Sequence, residues 1–555
     1  MKVTEITATE FQSMIRSGSR RLAKNAEFVN SLNVFPVPDG DTGTNMNLTF
    51  QSGAKAVLES DSDHVGELAQ KLGKGLLMGA RGNSGVISSQ LFRGFAKNVE
   101  KKASLTAQDL ADAFAAGVQT AYSAVMKPVE GTILTVAHEG ARAALKAAKS
   151  SDDAVVVMNA MVKESRKALA NTPNLLPVLK EVGVVDSGGQ GLTFIYEGFY
   201  EALSGETTAE EYVPSEGEMN EMVSATHHQV AQTKLNVDDI KYGYCTEMMV
   251  GLGKGNATEK FDYDTFREHL SHVGDSLLVI ADDEVVKVHV HTEHPGAVWR
   301  YGQQFGSLDK IKIDNMRLQQ ESIIDSASEI VQEAKPLAEF GVVAICSGDG
   351  LAELFKSMGV TYVLSGGQTM NPSTNDILDA IKAAHAKSVI VLPNNSNIFM
   401  AADEAAKEAS VDVAIVKSKT VNQGLTSMLS YNPERSLAEN AAEMTESLGD
   451  VVSGQITQSI RNSKIGGLEI HDGDWIGLIN GDIKIANTDQ LQCTIDMVGA
   501  MLDEDSEIVT LIYGSDASES EAQKVSDAIE DKFPDIEVEI HEGDQPLYPF
   551  LVSVE

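Results

Sequence analysis

The first two hundred residues carry their apolar positions at helical spacing. Segments such as "AQDLADAFAAGVQTAYSAV" and "HEGARAALKAAKS" repeat alanine and larger apolar residues every three to four positions, the pattern of a helix with one buried face. Alanine is also the strongest intrinsic helix former. Strand-like alternation is nearly absent there. The pattern predicts an all-α domain over residues 1–205, its helices joined by glycine-rich loops. The periodicity then fades into "SGETTAEEYVPSEGEMNEMVSATHHQVAQTK", polar and acidic, which reads as a linker over 206–232.

From about 233 to 330 the pattern changes period. "GYCTEMMVGL", "DSLLVIADD" and "EVVKVHVHTE" are β-rich runs, with "KFDYDTFREHLSHVG" a helix between them, so a small α+β domain is expected. An acidic, helix-like stretch near "RLQQESIIDSASEIVQEAKP" leads onward. Over 336–555 continuous apolar strands alternate with helices: "GVVAICSG" with "GLAELFKSMG", "SVIVLPN" with "MAADEAAKEA". That rhythm predicts an α/β domain with a covered parallel sheet, and the last segments, "SEIVTLIYGSDA" to "DIEVEIHEGDQ", repeat it.

Composition narrows the classes. A net charge of −37 argues against electrostatic capture of nucleic acid or of an anionic membrane surface. No apolar run is long enough for a membrane span, and the N-terminus has no apolar signal core. Three scattered cysteines, Cys245, Cys346 and Cys493, make no disulfide framework, which fits a reducing cytoplasm.

Candidate chemistry concentrates in "NVFPVPDGDTGTNMNLTF". Asp39 and Asp41 sit one glycine apart, behind Pro36 and Pro38. Paired carboxylates on a tight turn suit a hard cation such as Mg²⁺, which commonly bridges protein carboxylates and nucleotide phosphates. Thr42, Gly43, Thr44 and Asn45 follow at a helix start, where amide N–H groups bind phosphate. An acidic turn with an N-cap is the plainer alternative. Asp472-Gly473-Asp474 lacks the Thr-Gly-Thr-Asn continuation and reads as a hairpin turn. Three further glycine-rich helix starts accompany the first: Gly82, Asn83, Ser84 and Gly85; Gly131, Thr132 and Thr135; Asp186, Ser187, Gly188 and Gly189. Together they read as one phosphate-binding rim.

The ordered set "NVFPVPDGDTGTNM", "GARGNSGVISSQLFRGF", "PVEGTILTV" and "DSGGQGL" resembles the nucleotide-binding (DhaL-like) subunit of dihydroxyacetone kinases, over roughly residues 10–200. The resemblance implies a helical barrel whose loops at one end hold ATP through two Mg²⁺ ions. It implies that Asp39 and Asp41 ligate Mg²⁺. Asn33 and Val34 stand near where the family has a third aspartate, and Asn33 is the candidate ligand there. Thr42, Gly43, Thr44, Asn45, Gly82, Asn83, Ser84, Gly85 and Thr132 would face the phosphates, with Asp186 and Gly188 near the nucleotide. Arg81 and Arg93 flank the second loop and are either charge stabilisers or surface residues.

In the middle domain, His289 and His291 share one face of a strand. With Cys245 from a neighbouring strand they suit Zn²⁺, with His294 or water as the fourth ligand. Two edge-strand histidines beside a buried cysteine are the alternative. In the last domain Ser347, Gly348, Ser365, Gly366, Thr369, Ser373, Asn394, Asn395 and Ser396 mark strand ends where ligands sit in parallel sheets, or are ordinary βα turns. Cys346 reads as buried packing.

All three domains in this order resemble the catalytic subunit of bacterial fatty acid kinase. That resemblance implies ATP-dependent phosphoryl transfer to the carboxylate of a fatty acid, presented by a separate fatty-acid-binding carrier protein, giving an acyl phosphate for phospholipid synthesis. It also implies zinc at Cys245, His289 and His291, a C-terminal domain similar to DegV-like carriers, and a homodimer. A dihydroxyacetone-type small-molecule kinase and a non-catalytic nucleotide sensor are the other readings.

Overall fold

The computed structural model describes residues 2–32, 40–125, 127–205, 242–255, 257–281, 285–315, 337–367, 371–465 and 467–555. Asp39, Asn33, Thr369, the expected linker and the helix-like stretch after 316 lie outside them. The chain forms two compact units: Met1–Thr208 together with Leu337–Glu555, and Ala209–Pro336. The first and last sequence segments therefore belong to one body.

The N-terminal part is all helix, as its pattern predicts: α1 (Ala8–Lys24), α2 (Ala26–Ser31), α3 (Thr42–Leu58), α4 (Val65–Met78), α5 (Gly82–Val99), α6 (Ala107–Ala124), α7 (Ile133–Ala148), α8 (Ala154–Leu175), α9 (Pro177–Val182) and α10 (Ser187–Ser204). Setting aside the short α2 and α9, each helix packs on the next, and α10 returns to α1. The helices thus close into a ring. Its interior is filled by Phe11, Phe50, Phe92, Phe95, Phe114 and Phe199, all buried, in edge-to-face and stacked pairs. Aromatic pairs of this geometry add to the burial itself. Helix starts are fixed by capping boxes at Thr7 with Glu10 and Thr106 with Asp109, each satisfying two otherwise orphaned backbone amides.

The second unit is a four-stranded antiparallel sheet in the order β2-β3-β1-β4, built from β1 (Tyr244–Leu252), β2 (Gly274–Ala281), β3 (Val285–Thr292) and β4 (Gly306–Asn315). Helices Tyr263–Ser271 and Pro295–Gly302 supply Phe266, Leu270 and Val298 to its core beside Met248, Val250, Val286 and Val288.

The C-terminal segment rejoins the ring's unit. β5 (Ala338–Cys346), β6 (Tyr362–Ser365), β7 (Ala386–Leu392) and β8 (Asp412–Ile415) form a parallel sheet in the order β6-β5-β7-β8. The expectation of a parallel sheet fails beyond it. β9 (Val452–Gln458), β12 (Trp475–Ile479), β13 (Asp482–Asn487), β14 (Ile508–Tyr513), β15 (Glu537–Glu542) and β16 (Phe550–Val554) make a mixed sheet, in which only β14 and β15 pair in parallel. The cause is a two-residue turn. Asn480 and Gly481 both have positive φ, 51° and 89°, the backbone of a tight hairpin, which enforces antiparallel pairing of β12 with β13. The Asp472-Gly473-Asp474 turn also differs from expectation. It connects β11 (Leu468–Ile470) to β12, but β11 pairs with β10 (Ser463–Ile465) and β12 with β9 and β13. It is a turn between ladders, not a hairpin.

Candidate functional site

The four glycine-rich helix starts lie together. Antiparallel neighbours in the ring put the starts of α3, α5, α7 and α10 at the same end. Asn45 of α3 lies against Gly82 of α5: a methyl on Gly82 would sit 2.8 Å from the Asn45 amide nitrogen. A methyl on Gly188 of α10 would sit 3.2 Å from Ser84 Oγ and 3.3 Å from Ile133 Cβ of α7. Four helix N-termini with their partial positive charge therefore converge, an arrangement suited to a polyanion. Gly82 has φ +58°, a backbone that a side chain would strain.

The starts differ in how they are satisfied. At α3, the Asn30 side-chain oxygen Oδ1 accepts from the Gly43 backbone amide at 2.7 Å and the Thr44 backbone amide at 3.1 Å, while its Nδ2 donates to Thr44 Oγ1 at 3.0 Å. Asn45 is buried and its amide donates to the Asp41 carbonyl. Gly43, Thr44 and Asn45 are thus engaged inside the protein, and Thr42 is part-exposed. Gly85 lets α5 pack on Thr49 of α3. Thr132 caps α7 and Asp186 caps α10. The N-cap residue of α5, Arg81, makes no side-chain cap hydrogen bond, and Asn83 and Ser84 after the buried Gly82 are part-exposed.

Asp186 joins two of the starts. Its carboxylate accepts from the Gly189 amide at 2.6 Å and from the Ile133 amide of α7. Burial outweighs both hydrogen bonds and pushes its pKa up to about 6, in a site where a bound cation would oppose the rise.

Sequence reasoning missed the other half of the rim, which comes from the C-terminal domain. The Asn371 amide donates to the Asp41 carboxylate. Arg81 Nη1 donates to the Asn371 carbonyl at 2.7 Å, and its Nη2 lies 3.3 Å from Asp376 Oδ2. Asn83 donates to Asn397 Oδ1 at 3.3 Å. Arg93 pairs with the buried Glu404 at 3.4 Å. The two arginines left open between charge stabiliser and surface residue are cross-domain ties. Burial lowers the Arg81 pKa, which Asp376 partly restores. The local signal was Ser373 with Asp376, a capping box that starts the helix Thr374–Ala383. Nothing in the local pattern says that this helix start reaches Asp41. The donor set at the rim, a carboxylate, amide oxygens and helix N–H groups, fits a divalent cation with nucleotide phosphates.

In the second unit Cys245 and His291 are directly opposite in the β1–β3 register, and both are buried. His289 lies two residues along β3, opposite Glu247 in the register; its side chain lies outside the described ones. His294 is exposed at the start of helix Pro295–Gly302. Among the described residues no three His, Cys, Asp or Glu side chains cluster for a metal.

The polar set of the last domain divides. Ser347, Gly366, Asn394 and Asn395 line a small cavity at the carboxyl ends of β5 and β7, with Gln545 and Leu551 opposite. Asn394 is committed to the fold, since its amide donates to the Ile345 carbonyl at 3.0 Å and its oxygen accepts from Ser418. Gly348 (φ +119°) lets its loop press on the Gly543 carbonyl. Ser365 is exposed, Ser373 caps a helix and Ser396 opens a short 3₁₀ turn. Cys346 is buried, its pKa pushed up to about 12; it is packing, as expected.

Known proteins share these features. The DAK2 domain family matches residues 36–201, the FakA-like middle domain of fatty acid kinases 241–323, and the FakA-like C-terminal domain of fatty acid kinases 341–555. Protein YloV of Bacillus subtilis (strain 168) is 50% identical over 100% of both chains. The dihydroxyacetone kinase of C. freundii in complex with AMP-PNP and Mg²⁺ is 14% identical, TM-score 0.31, over 40% of this chain and 49% of that one. A Thermotoga maritima protein described as having fatty acid binding function is 11% identical, TM-score 0.31, over 39% of this chain and 99% of that one. No described helix is long and apolar enough to cross a membrane. A helical ring with four converging helix starts, a small α+β unit and an α/β domain docked on those starts, matched in that order by these three domain families, make this chain a member of the FakA-like fatty acid kinase family of ATP-dependent kinases.

Proposed function

We propose that this chain transfers the γ-phosphate of ATP to the carboxylate of a fatty acid presented by a separate fatty-acid-binding protein, giving an acyl phosphate for phospholipid synthesis. A carboxylate oxygen forms a bond to the γ-phosphorus, the bond to the β,γ-bridging oxygen breaks, and ADP leaves. The acceptor is already deprotonated near neutral pH, so the step requires no general base. The single observation that carries the reading is the convergence of four helix starts beside the Asp41 carboxylate. Asp39 and Asp41, with Asn33, are proposed to hold two Mg²⁺ ions, which neutralise phosphate charge. The amides of Gly82, Asn83 and Ser84 orient the phosphates, and Gly82 and Gly188 let the helix starts approach one another closely. Thr42, Thr44, Asn45, Gly85, Thr132 and Asp186 shape the pocket from behind.

Asp41→Ala is expected to lower transfer of labelled phosphate from ATP to a carrier-bound fatty acid by roughly a hundredfold or more, with the fold intact by circular dichroism. Turnover like that of the wild type sinks the assignment. Label on a free hydroxyl compound instead makes the chain a dihydroxyacetone-type kinase. Tight ATP binding with no transfer makes it a nucleotide sensor.

For the middle domain we propose Zn²⁺ held by Cys245, His289 and His291, supported by the opposed, buried Cys245 and His291. Elemental analysis of the purified chain should find about one zinc per chain, lost in Cys245→Ser. Equal zinc in that variant rejects the site. The protein is further proposed to act in the cytoplasm as a homodimer.

A further inference from the structure

Asn371 sits in an unusual position for a residue so far along the chain. It is fully buried, at 0% exposure, and its amide nitrogen donates to the Asp41 carboxylate across a sequence separation of 330 residues. Its side-chain carbonyl, Oδ1, is buried with no hydrogen-bond partner among the described residues. A buried acceptor left unpaired is a standing cost to the folded state. A residue that served only to tie two domains would be expected to satisfy both ends of its amide.

The surrounding chain holds Asn371 firmly. Its own carbonyl accepts from Arg81 at 2.7 Å. Pro372 follows it, which biases it to extended backbone. Ser373 caps the next helix, and the Thr374 amide donates to the Ala80 carbonyl at 3.2 Å. Asp376, the capping-box partner of Ser373, also pairs with Arg81. Ala80 and Arg81 immediately precede the start of α5. The amide is therefore placed by the helix that follows it and by the Ala80–Arg81 backbone and side chain it meets, as a ligand must be.

We propose that the Asn371 side-chain carbonyl, supplied by the C-terminal domain, ligates the divalent cation held at Asp41. The inference rests on the reading of Asp41 as a metal residue. Without a cation, the amide turns its N–H to the carboxylate. A half-turn of the same amide exchanges nitrogen for oxygen without moving the backbone. A neutral carbonyl oxygen is a common ligand of hard cations. Asn371 is then a ligand from the C-terminal domain in a chain that carries Asn33 and Val34 near the place of the third aspartate. Cation binding and docking of the C-terminal domain become linked, since each ligand of the folded assembly strengthens the other.

The test is Mn²⁺ binding to the full chain, read by loss of the free-ion electron paramagnetic resonance signal, with and without a non-hydrolysable ATP analogue. Asn371→Ala is expected to weaken Mn²⁺ binding roughly tenfold or more, while Asn371→Asp binds at least as tightly as the wild type, because a carboxylate oxygen replaces the carbonyl. Metal-free unfolding curves for both variants verify the fold. Unchanged Mn²⁺ affinity in Asn371→Ala, with loss in Asp41→Ala, overturns this inference and leaves the Asp41 reading standing. Unchanged affinity in Asp41→Ala as well overturns both. Equal loss in Asn371→Ala and folded Asn371→Asp also overturns it, because the residue is then a packing hydrogen bond.

Discussion

Asp186 shows how much one side chain at the rim has to reconcile. It caps α10, touches the start of α7 and is desolvated, so its pKa lies near 6 instead of in the usual carboxylate range. The sign follows directly. A carboxyl whose folded pKa is raised favours the folded state most when protonated, below about pH 4, and that contribution is lost as pH rises through about 6. Asn keeps the cap oxygen and does not titrate. Melting curves for Asp186→Asn and the wild type between pH 4 and 7, without nucleotide, are expected to show the difference shifting in favour of the variant as pH rises through this window. A constant difference contradicts the raised pKa. Asp186 and Asp41 were visible in the sequence because each stands directly before a helix start. Asn371 was not, because no local pattern encodes a contact across 330 residues.

Among the elements, the ring is the most legible part, and its sealing is the least. Apolar periodicity and caps predict the helices of the N-terminal part, but not which neighbours they choose. That choice depends on small residues at the seams. A methyl on Gly117 of α6 would lie 2.3 Å from the Leu91 carbonyl of α5, and one on Gly94 of α5 2.7 Å from Gly117 Cα. The α1–α8–α10 corner depends instead on charge. Glu197 is buried and accepts from Arg21 and Arg166, both at 2.6 to 2.7 Å. Its partners are separated from it in sequence by 176 and 31 residues, beyond the reach of any helix pattern. Glu197→Gln leaves two guanidinium groups facing a neutral amide. Because Arg166 is half-exposed, the loss is expected at about 1–3 kcal/mol, below that of a fully buried pair. Urea unfolding of variant and wild type measures it, and a difference below about 0.5 kcal/mol, the range of ordinary surface changes, counts against it. In the last domain the Asn-Gly turn carried the information that the alternation of strands and helices did not.

For the whole molecule, the segments at either end of the sequence fold as one body across an interface that includes the start of α5 and Asp41. The three-domain order was readable from changes of hydrophobic period; the docking of the third domain on the first was not, since it rests on single polar residues. Arg81 is the pivot, largely buried between Asp376 and the Asn371 carbonyl. Asp376→Asn removes its carboxylate and is expected to destabilise the folded body by about 1–3 kcal/mol. Because the contact is between domains, the loss should appear as earlier unfolding of one part. Two separated transitions in calorimetry, where the wild type shows closer ones, are the expected result; identical profiles contradict it.

The 330-residue span between Asp41 and Asn371 also orders events during synthesis. At typical elongation rates of ~5–20 residues per second, that stretch takes roughly 15–70 s to translate. The ring emerges first and can close on its own phenylalanines, but throughout that interval Arg81 and Asp41 face water without their partners from the last domain. A ribosome that stalls within the stretch releases a ring with half a rim. Only a chain read at least as far as Glu404 gathers the groups that surround the four helix starts.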